Sequence, residues 1–120
     1  MYQQDTILRQ IEMLTQALAR IFFRKEKVVY EFPEQETGYS DDDVWYARIL
    51  RLLASSEINA AEDALFDASS VRLRAALDFY SRLNLLSDEA LAHANFSREE
   101  IAQGLDDIAA RCGVEFRDQI

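Results

Sequence analysis

The sequence predicts an all-α protein, one long amphipathic helix at the amino terminus followed by a bundle of about five shorter helices, and three observations point there. Ile7, Ile11, Leu14, Leu18 and Ile21 recur at alternating steps of four and three residues. This lays a single apolar seam along a helix while Arg9, Glu12, Arg20 and Arg24 fall outside it. Only three glycines and one proline punctuate the 120 residues, too few for a turn-rich β-sandwich. Serines followed three residues later by an acid stand just before apolar periodic stretches, the signature of capped helix starts. A chain of this length supports one core, so residues 1–120 are expected to form a single domain: an amphipathic helix over 1–27, an acidic extended linker over 28–40 and helical hairpins over 41–120.

Taken in order, the first helix is expected from Asp5, an acceptable N-cap, to the Arg24-Lys25-Glu26-Lys27 cluster, where cations suit the negative end of the helix dipole. Val28-Val29-Tyr30-Glu31-Phe32 is β-branched and aromatic and reads as extended, and Pro33 stops helix from resuming at once. Glu31, Glu34, Glu36 and Asp41 to Asp43 then make a solvated acidic loop. Ser40 with Asp43 opens the second helix, which carries Trp45, Ile49, Leu52 and Leu53 on its apolar face. Asn59 and Glu62 open the third, whose stripe is Ile58, Ala61, Leu65 and Ala68. The fourth runs from about Val71 to Leu83, burying Leu73, Ala76, Leu77 and Tyr80, with Arg74, Asp78 and Arg82 as a charge ladder in solvent and Asn84 as its stop. Ser87 opens the fifth, with Leu86 set to staple onto Leu91. The sixth has the clearest start, because Ser97 and Glu100 form a capping box inside a Phe96–Ile101 staple. Its seam is Ile101, Leu105, Ile108 and Cys112, and Gly113 ends it in a left-handed cap.

Formal net charge is −9, from 22 acids against 13 bases, and it is uneven. Residues 1–27 carry five bases and three acids, a net +2, which leaves −11 on the remainder. An acidic body without a basic, aromatic-interleaved stripe repels phosphates, so nucleic acid is not an expected partner. Cys112 is the only cysteine, which excludes an intrachain disulfide and a cysteine-based metal site and favours a reducing cytoplasm. The amino terminus lacks the basic and apolar regions of a secretory leader, and no apolar run approaches the roughly 18 residues that span a bilayer.

The pairing of Trp45-Tyr46 early in the second helix with Ala61 in the third resembles a tetratricopeptide hairpin, whose period is about 34 residues. One period on, Phe79-Tyr80 repeats the aromatic pair, and the likeness covers roughly residues 41–112. Asn95 stands where the second small alanine belongs, and Ile49 replaces the family's helix-turn glycine. The opening Gln3-Gln4-Asp5-Thr6-Ile7-Leu8-Arg9-Gln10-Ile11-Glu12 is similar to the Gln-x-Asp-x-Ile-x-Arg-x-Ile-Glu start of a family of small bacterial proteins of unknown function. That resemblance implies an all-helical fold and a cytoplasmic home, and it supplies no activity and no site residues.

Catalytic chemistry finds little foothold. His93 is the only histidine, whereas zinc or non-haem iron sites normally need two or more nitrogen or sulfur ligands. Cys112 lies on an apolar seam, where a thiol stays protonated and inert. Asp41 to Asp43 suit a first helical turn and lack EF-hand spacing. Glu62-Asp63, Glu99-Glu100 and Asp106-Asp107 are adjacent pairs that point about 100° apart on a helix and read as solvated faces. No catalytic residue, cofactor or metal is therefore expected. The seam of the first helix should hide against protein, making the chain a non-enzymatic interaction or self-association module and a homo-oligomer. The candidate contact residues are Ile7, Ile11, Leu14, Leu18, Ile21, Phe22, Trp45 and Tyr46. The alternatives are a peripheral membrane protein, held by Phe22 and Phe23 beside Arg20, Arg24, Lys25 and Lys27, and a small-molecule or metal-dependent enzyme.

Overall fold

A computed structural model of the chain describes residues 2–67 and 72–115. Among them the backbone forms six α-helices and no strand: α1 (Tyr2–Phe23), α2 (Asp41–Ala54), α3 (Ile58–Phe66), α4 (Leu73–Asn84), α5 (Asp88–His93) and α6 (Arg98–Arg111), with a 3-10 turn at Glu36–Gly38. The order and number of helices are those the sequence predicts. The expected start of α4 at Val71 and the buried Ala68 lie outside the described residues.

Three helix starts follow the sequence closely. Ser40 and Asp43 form the capping box of α2, Ser97 and Glu100 that of α6, and the Ser87 hydroxyl accepts from the Ala90 amide in α5. Each satisfies amides that the first helical turn leaves without a partner. Two expected caps are corrected. Helix α1 already begins at Tyr2, so Asp5 lies inside it, and α3 begins at Ile58 without a side-chain cap. Asn59 instead reaches across to the Asn95 carbonyl from within the first turn of α3.

The helix ends share a device that the sequence declared only at Gly113, whose φ is +82°. The Val114 amide donates to the Ala109 carbonyl and the Gly113 amide to Ala110, a Schellman closure of α6. Ser56 and Asn95 hold the same left-handed conformation with the same bonding after α2 and α5. Asparagine is the non-glycine residue that best tolerates this region, which gives Asn95 a local role that the tetratricopeptide comparison could not supply.

Packing is organised around α4. Helix α1 lies against both α4 and α6, α4 against α6, and α2 against α3. Six consecutive residues of α4, Ala75 to Tyr80, are buried, which only a helix covered on all sides can achieve. The first helix thus folds back on its own chain. Ile11, Leu14, Leu18 and Ala19 enter the common core, Ile7 is half-buried against it, and Ile21 is 54% exposed. In the last turn Phe23, and not Ile21, packs against the core, and Arg74 covers the Phe23 ring at 4.9 Å.

The extended segment after α1 is built into the core and is more than a linker. Val28 is buried, and the Tyr30 amide donates to Asp78 Oδ1 at 3.0 Å. The Tyr46 hydroxyl donates to Asp78 Oδ2 at 2.5 Å and Arg82 Nε donates to the same oxygen at 2.6 Å. Asp78, expected on a solvated ladder, is only 4% exposed and ties the strap, α2 and α4 together. The Ser40 amide, and after it the Tyr30 hydroxyl donating to Asp43 Oδ1 at 2.7 Å, hold the Asp43 carboxyl below its usual range. Phe32 stacks on Tyr46 at 6.0 Å between centroids, completing an aromatic cluster under the acidic loop.

Candidate functional site

Of the eight residues that the sequence nominates as contacts, the fold consumes most internally. Ile11, Leu14 and Leu18 lie in the chain's own core, Ile7 is half-buried, and Tyr46 is fully buried at the heart of the Asp78 network. The four buried ones, Ile11, Leu14, Leu18 and Tyr46, cannot form a partner surface without opening the fold. Trp45 is half-buried, with Arg72 lying 4.3 Å over its ring while also bridging Asp42 at 3.1 Å. Ile21 and Phe22 remain exposed, at 54% and 41%. They sit in the last turn of α1 beside Arg20, Arg24, Lys25 and Lys27, all of them exposed. Arg20 makes a loose pair with Glu26 at 3.4 Å, both side chains mostly in water. Such pairs contribute little, so this end presents apolar surface inside a cationic rim.

A second surface escaped the sequence reading. Helices α3 and α6 diverge to leave an open trough of about 490 Å³, lined by Glu62, Asp63, Glu100 and Asp107 over a floor of Phe66, Gly104 and Ala110. The expectation that adjacent acids stay apart is corrected for Glu62 and Asp63, which both line the trough, where they meet one member of each pair on α6, Glu100 and Asp107. The signal lay in the spacing: Glu100, Gly104, Asp107 and Arg111 repeat at four, three and four, one face of α6, and the glycine marks where another side chain must approach. That side chain is Tyr80 of α4, whose ring edge would lie 2.6 Å from a Cβ at position 104.

The Tyr80 hydroxyl donates to Glu62 Oε2 at 2.6 Å, and burial keeps the phenol protonated far above its usual range. Burial also raises the Glu62 carboxyl, the Tyr80 hydrogen bond partly opposes this, and the charges of Glu100, Asp63 and Asp107 push it up further. Among the described residues Arg111 is the only cation lining the trough, and it stacks on Phe66 at 4.8 Å. The trough is therefore electrostatically strained towards taking up positive charge.

This strain has a measurable sign. A carboxyl whose pKa is raised in the native state binds protons more tightly folded than unfolded, so it lowers stability as pH rises from the ordinary glutamate range through its folded pKa. Glu62→Gln keeps an acceptor for Tyr80 without the charge. It is expected to raise the melting temperature relative to the parent at neutral pH, with the gain vanishing near pH ~4, the ordinary glutamate value. Thermal unfolding of both proteins across that range checks it, and a difference independent of pH would contradict it.

The remaining candidate groups stay apart from both surfaces. His93 is exposed on α5, while Cys112 is half-buried at the end of α6, where burial pushes its thiol up. Among the described residues no group of three or more histidine, cysteine or acidic side chains is placed to hold a metal ion. No helix there is long and apolar enough to cross a membrane.

Fold and surface together define an all-helical domain that presents two oppositely charged faces. Residues 1–113 match the model of a family of unknown function (DUF6483), and the chain belongs to that family. No curated protein and no solved structure matches it.

Proposed function

We propose that the chain is a non-enzymatic protein-interaction module of the cytoplasm that self-associates or binds a partner protein, with the exposed end of α1 as its contact element. The observation that carries this reading is the survival of Ile21 and Phe22 at the surface after the rest of the helix has been absorbed by the core. Burying an isoleucine or phenylalanine side chain contributes on the order of 1.5–3 kcal/mol each, and the surrounding cations add orientation and choice of partner. An apolar pair inside a basic rim suits a surface that is apolar in its middle and acidic at its margin.

The test is solution mass by light scattering from micromolar to submillimolar protein. The parent is expected to exceed 13.8 kDa as concentration rises, and Ile21→Ser/Phe22→Ser to hold that monomer mass with the melting temperature of the dilute, monomeric parent. The same aromatic and cationic end could instead rest on an anionic bilayer. A parent that stays at 13.8 kDa but floats with anionic vesicles, and loses this with the double substitution, would move the function to the membrane surface. Indifference to both the double substitution and vesicles would overturn the contact role of α1.

A further inference from the structure

We propose that the surface receiving the α1 end is the acidic trough between α3 and α6 of a second copy of this chain, the two copies docking reciprocally. This docking rests on the contact role of α1 and supplies its receiver. Complementarity within a single sequence supports it. Four carboxylates face one guanidinium around the trough. Across from this, Ile21 and Phe22 stand exposed among cations of which Arg24 and Lys25 make no ion pair among the described residues.

The apolar parts match as well. Phe66, Gly104 and Ala110 give the trough an apolar part between its acids, and Arg111 lies 4.8 Å over the Phe66 ring. The face of α6 from Glu100 to Arg111 is about 16 Å long at 1.5 Å per residue, enough to seat the last two turns of α1. Docking brings positive charge to carboxylates that repel one another, relieving the electrostatic strain that raises Glu62.

A chain cannot satisfy itself in this way. Tyr80 faces the trough, whereas Ser81, one residue and about 100° further round α4, faces a separate groove lined by Glu26 and Lys27. The strap that follows the basic end is therefore committed to another side of α4. Reciprocal docking of two copies fills both troughs under a two-fold axis, the commonest closed arrangement, and leaves neither basic end in water.

Charge exchange gives the test. Asp63→Lys/Asp107→Lys makes the trough basic at two exposed positions, and Arg24→Glu/Lys25→Glu makes the α1 end acidic at two exposed positions. Each variant should be monomeric alone, because its end and trough then carry the same sign. An equimolar mixture should regain the parent's mass, since each end meets a trough of opposite sign. Parent association should weaken at least tenfold between 0.1 M and 1 M salt, as the screening length contracts from about 10 Å to about 3 Å. A mixture that stays monomeric, or an Asp63→Lys/Asp107→Lys variant that associates as the parent does, would overturn the trough as receiver. If Ile21→Ser/Phe22→Ser still abolished association in that case, the contact role of α1 would stand without it. A monomeric parent throughout would overturn the pairing of copies.

Discussion

Asp78→Ala is expected to lower the free energy of unfolding by about 3–5 kcal/mol, the largest single-residue effect foreseen outside the apolar core. The Asp78 carboxylate accepts from the Tyr30 amide, the Tyr46 hydroxyl and Arg82 Nε, and it is only 4% exposed. Removing it leaves a buried hydroxyl and a backbone amide without an acceptor, each costing about 1–3 kcal/mol, while the half-exposed Arg82 can turn to water. Asp78→Asn keeps one acceptor oxygen and should cost clearly less. Trp45, the only tryptophan, lies 6.1 Å from the Tyr46 ring and reports the transition by fluorescence in urea. A loss below about 1 kcal/mol for the alanine variant would show that the strap from Val28 to Phe32 is held by its apolar side chains alone.

Gly104→Ala is expected to cost about 1–3 kcal/mol although alanine is the better helix former by about 1 kcal/mol. The sign is decided by Tyr80. A Cβ at position 104 would approach three atoms of the Tyr80 ring end, Cε1 at 2.6 Å and the other two closer still. Tyr80 is fully buried and hydrogen-bonded to Glu62, so it has no free direction in which to swing. Relief requires moving α6 away from α4, which would open the packing between the two helices. Gly113→Ala offers the comparison: nothing lies within 4 Å of its Cβ, and its cost comes only from a φ of +82°. A Gly104 variant more stable than the parent, measured by the same urea titration, would contradict the close crossing of α4 and α6.

Asp78 falls where the sequence misled, and the reason is general. Helical periodicity assigns a residue to a face but cannot say how many faces are covered. Asp78 follows Arg74 and precedes Arg82 by four residues each, which reads as a solvated ladder only on a helix with a wet side. Helix α4 has neighbours nearly all round, so the acid became a buried acceptor for groups 32 and 48 residues away. The Glu62, Glu100 and Asp107 trough was hidden similarly, since its members are far apart in the chain and each looks like an ordinary surface acid. Arg98 was overlooked as a first-turn residue of α6. It is 5% exposed and donates to the carbonyls of Asn84 and Leu86, closing the carboxyl end of α4.

The amino-acid sequence by itself determined the helical class, the number of helices and their best-marked ends. Caps at Ser40, Ser87, Ser97 and Gly113 act over three or four residues, and amphipathic spacing acts along a single helix. Such local preferences are written in short stretches of chain and need no partner to be read. Only the tertiary structure decided that the amino-terminal helix commits Ile11, Leu14 and Leu18 to its own bundle, leaves Ile21 and Phe22 outside, and shares the molecule with a trough of acids drawn from α3 and α6. Which apolar stripe meets which is fixed by the mutual coverage of all six helices, a collective property that no window along the chain contains.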